Sequence, residues 1–160
     1  MDPRLQQLPG LFPELCGDVS PPWGLPTREQ FAEIFRRFAC QFPPSYIHYC
    51  CSFASKLPCA DNAFVWASAD PNTDAYASLE ATIELGRNWG IPTYLVPFWH
   101  DEGNFYCFDT RNRSEFDESP IVFWEHDAPS DNPGVTHESF VDWLKERLEQ
   151  AWKRRQSKQP

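Results

Sequence analysis

Three aromatic-rich runs of strand length follow one another in the middle of the chain. They are Tyr94-Leu95-Val96-Pro97-Phe98-Trp99, Phe105-Tyr106-Cys107-Phe108-Asp109 and Ile121-Val122-Phe123-Trp124. β-branched and aromatic side chains favour the pleated, half-buried surface of a sheet. Gly103-Asn104 between the first two runs has the chemistry of a hairpin turn. Consecutive strands with short links pair antiparallel, so these runs predict one antiparallel sheet. Each run closes in acid: Asp101-Glu102, Asp109, and Glu125 with Asp127 flanking His126. Negative charge is therefore expected at strand ends and in loops.

At 160 residues the chain fits a single domain. A domain of that size buries most of its apolar surface and needs neither disulfides nor a metal to fold. Seven Trp, thirteen Phe and five Tyr supply the core, while sixteen Pro imply long irregular connections. Acids outnumber bases, 23 to 14. Lys145, Arg147, Lys153, Arg154, Arg155 and Lys158 crowd the C-terminal end, so the rest is more acidic than the total implies. Such a body repels nucleic acid and anionic membranes and steers a basic partner towards itself. None of the six cysteines forms Cys-x-x-Cys, the N-terminus Met1-Asp2-Pro3-Arg4 lacks a secretory pattern, and no run has transmembrane length. Reduced, mostly buried cysteines in a cytoplasmic protein are expected.

Residues 1–26 hold six prolines but also Leu5, Leu8, Leu11, Phe12, Leu15 and Trp23. That mixture predicts an arm laid across the domain. Thr27 and Gln30 form a capping box, and Phe31, Ile34, Phe35 and Phe38 give the helix behind it an apolar face. Pro43-Pro44 stops that helix and opens another, with Tyr46, Ile47, Cys50, Phe53 and Ala54 buried. Residues 63–67 read as a strand, Asp70-Pro71-Asn72 as a turn, and Ser78 as the cap of a helix that ends near Gly90. Residues 110–120 and 128–137 read as polar loops. A last helix starts near His137 to Ser139, with Phe140, Trp143, Leu144, Leu148, Ala151 and Trp152 recurring at helical spacing. The expected fold class is α+β: a mostly antiparallel sheet with helices covering one side. The expected organisation is a Pro-rich arm (1–26), an α+β domain (27–152) and a basic tail (153–160).

Catalytic patterns are weak. His100 and His126 each follow a strand beside carboxylates, yet neither lies in a recognised metal-ligand spacing. Cys50 falls on the buried side of a helix, past its first turn, where nothing lowers a thiol pKa. Glu115, Asp117 and Glu118 sit together in a polar loop without an apolar pocket to tune them. The seven glycines are too scattered for a phosphate-binding loop, and no Gly-x-Ser-x-Gly elbow occurs. The expectation is a non-enzyme with no metal and no cofactor.

Several pieces, in order, resemble the SUKH superfamily, which unites yeast cell-wall synthesis regulators with bacterial immunity proteins against polymorphic toxins. Phe42-Pro43-Pro44-Ser45-Tyr46 is similar to its Leu-Pro-x-x-Tyr helix start, and Ala77-Ser78-Leu79-Glu80 to its small middle helix. Leu95-Val96-Pro97-Phe98-Trp99, followed by Gly103-Asn104-Phe105-Tyr106-Cys107-Phe108-Asp109, resembles its hairpin. Pro120-Ile121-Val122-Phe123-Trp124-Glu125-His126-Asp127 resembles its next strand, and Ser139-Phe140-Val141-Asp142-Trp143-Leu144 its closing helix. The resemblance implies a SUKH-like α+β scaffold in which Pro97 and Gly103 set a strand edge and a turn. It also implies that Asp109 and His126 fix loops by hydrogen bonds. As function it implies an immunity protein that occupies the active face of a toxin domain, often a nuclease or deaminase with a basic cleft. The alternative is an intracellular adaptor or regulator like the yeast members.

Residues 101–131 carry the densest acidic charge, with only Arg111 and Arg113 opposing it. Asp101, Glu102, Asp117, Glu118 and Asp127 are therefore the expected contact residues for a basic protein partner. Nucleic acid and membrane are not expected partners.

Overall fold

The computed structural model describes residues 2–16, 25–54, 79–101 and 103–157. The strand expected at 63–67, the turn at 70–72 and the cap at Ser78 lie outside these residues.

Four strands form one antiparallel sheet in the order β1-β2-β3-β4: β1 (Leu95–Asp101), β2 (Asn104–Asp109), β3 (Ile121–Trp124) and β4 (Val135–His137). The first three are the aromatic runs. In β1 against β2, Leu95 opposes Asp109 and Asp101 opposes Asn104, with a bulge between Pro97 and Trp99. Pro97 is tolerated because β1 is an edge strand. Gly103 closes the hairpin at φ +88°, and a Cβ there would stand 2.8 Å from the Trp89 ring. Only glycine meets both demands without strain. β4 is the strand missing from the sequence reading. It has three residues, mostly exposed, too few for an alternating pattern to show. The Thr136 hydroxyl donates to the Ile121 carbonyl and helps hold it on the sheet.

Alternation along β2 and β3 sends side chains to two buried clusters. On one face, Val96, Phe98, Phe108 and Ile121 join the main core. That core is completed by α2 (Arg28–Phe38), α3 (Pro44–His48) and α5 (Phe140–Ser157). Tyr46 lies at its centre, with ring centroids of Phe108 and Phe140 at 5.2 and 5.1 Å. On the other face, Leu95, Phe105, Cys107, Val122 and Trp124 pack with Ile91. Leu85 of α4 (Leu79–Asn88) lies against this second cluster. Apolar burial is thus not confined to the side that carries α2, α3 and α5.

The helices follow their sequence signals. The Thr27 hydroxyl accepts from Gln30 N and the Gln30 side chain accepts from Thr27 N, so the capping box is complete. Ala39, left-handed at φ 53°, terminates α2. Arg37 reaches Glu80 and Glu84 of α4, both at 2.9 Å. One residue departs from expectation: Phe35 is 45% exposed, because it borders a cleft instead of the core. Past α3 the chain widens into a π-helical turn at Tyr49–Phe53, with Tyr49 and Cys50 buried. At the end of α4, the Arg87 guanidinium donates to the carbonyls of Ile91, Pro92, Thr93 and Leu95 and organises the entry to β1.

The N-terminal segment contains two short 3₁₀ turns, Pro3–Gln7 and Pro13–Leu15, around α1 (Leu8–Leu11). Leu5, Leu8, Phe12 and Leu15 enter the main core. Arg4 bridges Asp142 and Ser139 at the start of α5, while Glu14 accepts from Trp152 and Gln156 near its end. α5 runs on through the basic residues as far as Ser157.

Candidate partner-binding site

The antiparallel order decides which acids meet. β1 ends, β2 begins and β3 ends on one side of the sheet; β2 ends and β3 begins on the other. Three residue steps along β3 alone put roughly 10 Å between the two sides.

The first side carries Asp101 as the last residue of β1, paired through Cα with Asn104. Glu102 lies outside the described residues. The loop after β3 is fastened to this hairpin turn. The Asn104 side-chain oxygen accepts from His126 N at 3.0 Å, and the His126 ring lies 4.3 Å from Trp89. His126 Nδ1 also meets the Asp127 carboxylate at 2.9 Å. The Asp127 side chain is otherwise 96% exposed. Glu125, also exposed, belongs to the same end. It was not among the five expected contacts, although its signal was plain: an acid directly after the strand.

The second side is a folded loop, not a free one. Asp109 is buried at its root and accepts from Arg111 N, Nε and Nη2 and from Asn112 Nδ2. Burial pushes its carboxyl up, but these bonds outweigh it and hold the group below the usual Asp range. Asp117, at φ 62°, is exposed and ion-paired with Arg113. Glu118 corrects the sequence reading. It is 4% exposed, and its carboxylate accepts from Ser45 N at 3.1 Å and from the Ser45 hydroxyl. A buried carboxylate already satisfied by the start of α3 is a structural acceptor and presents nothing to a partner. Of the four described acids among the expected contacts, Asp101 and Asp127 share one end of the sheet, Asp117 lies at the other, and Glu118 is internal.

Among the described residues, no three His, Cys, Asp or Glu side chains gather to hold a metal ion. The strands leading to His100 and His126 are separated by β2, about 10 Å across two strand spacings. Burial pushes the Cys50 and Cys107 thiols well above the ordinary range, which is the reverse of what a thiolate nucleophile needs. No described helix is long and apolar enough to cross a membrane.

A four-stranded antiparallel sheet with helices packed on it, acidic loops at its strand ends and a closing helix defines an α+β fold. The family follows from comparison: a model described as SUKH_5, SMI1-KNR4 cell-wall, matches residues 15–150, and the chain belongs to that family. The fold is shared with a protein from Pseudomonas syringae pv. tomato known from a crystal structure. That likeness has a TM-score of 0.62 at 17% identity and covers 90% of this chain and 98% of the other. No protein of curated function matches the chain. Membership supports toxin-immunity or SMI1-KNR4-like regulatory function in general and a protein as partner.

Proposed function

We propose that the protein is an immunity protein, which binds a cognate bacterial toxin domain and neutralises it by covering its active face. The family match over most of the chain carries this reading. Charge supports it: the net charge is −9, and a nuclease or deaminase domain presents a basic substrate cleft to an acidic inhibitor. The proposed contact surface is the end of the sheet that carries Asp101, Glu125 and Asp127. Asp117 lies apart from it, and Glu118 is buried. The cell-wall regulators of the family favour a second reading, an intracellular adaptor, which predicts no toxin gene beside this one.

Charge reversal tests the surface. Asp127→Lys combined with Glu125→Lys should slow association with the toxin domain encoded beside the gene by ~3–10-fold at low salt. The difference should shrink as ionic strength rises, because screening weakens exposed charges first. Equal association rates of variant and parent at every salt concentration would place the interface elsewhere.

A further inference from the structure

Trp89 directly follows α4 and is 39% exposed, yet it is not loosely held. The Phe105 ring meets it edge-on at 6.0 Å, and the His126 ring lies 4.3 Å away. The Gly103 backbone runs so close that a side chain there would collide with the indole. A bulky aromatic fixed by three neighbours and left partly in water has lost conformational freedom without gaining full burial. Tryptophan is among the side chains on which protein partners anchor most strongly, and one already held in place costs less to order on binding.

The surroundings select a cation. Trp89 lies at the end of the sheet that carries Asp101, Glu125 and Asp127, and the Asp127 carboxylate is one imidazole away, 2.9 Å from His126 Nδ1. Neither segment at this end, 99–105 or 124–131, contains a Lys or Arg. Among the described residues no guanidinium covers Trp89, whereas Arg37 lies over Phe38, Arg111 over Tyr94 and Arg147 over Trp99. The opposite end of the sheet shows the complete arrangement. There Arg111 stacks on the Tyr94 ring at 4.0 Å and donates from Nε and Nη2 to Asp109. At the Trp89 end the aromatic ring and the carboxylate are present, and the arginine is missing. An aromatic face beside a carboxylate favours guanidinium over ammonium, because only the planar group stacks and donates sideways at once.

We propose that Trp89 anchors the protein partner by receiving one of its arginine side chains. The guanidinium stacks on the exposed part of the indole, and its N–H groups donate to the Asp127 carboxylate. This contact presupposes the protein-binding role proposed above and adds a residue and a preference to it: arginine over lysine, within a contact surface that charge alone would open to either.

Titration of the full chain with an acetylated and amidated Gly-Arg-Gly-Arg-Gly peptide and with its lysine counterpart, of equal charge, tests the contact when followed at the Trp89 indole N–H by NMR. The arginine peptide should shift that resonance saturably and bind ~3–10-fold more tightly than the lysine peptide at low salt. Trp89→Leu, with its folding checked by the urea midpoint, should bring the two peptides to equal affinity. Asp127→Asn, at a side chain almost fully exposed, should keep the fold and weaken the arginine peptide at least ~2-fold. Equal affinities in the parent chain, no saturable shift of the Trp89 indole, an arginine preference that survives Trp89→Leu, or unchanged binding in Asp127→Asn would overturn the proposal. An arginine preference in a chain that neutralises no toxin would support the contact and remove only the immunity reading. Neutralisation by a chain that treats both peptides alike would overturn the contact and leave that reading intact.

Discussion

Trp124→Ala should destabilise the protein by about 3–5 kcal/mol, the cost of emptying a large buried aromatic site. Trp124 ends β3, is 3% exposed and meets the Phe105 ring at 6.1 Å. It is the largest side chain of the second cluster, which it shares with Ile91, Leu95 and Cys107.

 The midpoint of urea unfolding should fall with little change in its denaturant slope, the mark of lost stability without a change in compactness. Leu95, Phe105, Cys107 and Val122, all fully buried around the same site, set the size of the effect. A midpoint that does not move would mean that Trp124 is a surface contact and that this face of the sheet is not core.

Glu118→Ala should cost about 2–4 kcal/mol, because it leaves the Ser45 amide and hydroxyl without their acceptor in a closed site. Glu118→Gln keeps one carbonyl oxygen and should cost less, about 1–2 kcal/mol, through loss of the charge-assisted bond. Neither substitution should slow association with the partner once folded protein is compared at equal concentration. The opposite pattern, full stability with slower association, would return Glu118 to the contact surface.

Residues carrying a local pattern revealed themselves in the sequence. The aromatic runs alternate between two buried faces, and the Thr27–Gln30 box is a short-range hydrogen-bond pair, so strands β1 to β3 and the start of α2 were legible. Glu118 was not, because its acceptor role depends on Ser45, which is 73 residues away along the chain. Phe35 has the spacing of a core residue, and only the placement of the 110–120 loop decides that it borders a cleft. β4 is too short for any periodicity to appear. The separation of Asp101 and Asp127 from Asp117 follows from strand direction: each reversal of the chain sends the next acidic loop to the opposite end of the sheet. Charge density along the sequence merges what that topology separates.

The most direct test of the central claim is to titrate, with the purified protein, the activity of any toxin domain encoded beside its gene. An immunity protein of this kind should remove the activity in proportion to the amount added and abolish it at one equivalent. Full toxin activity in the presence of a large excess of folded protein would contradict the account.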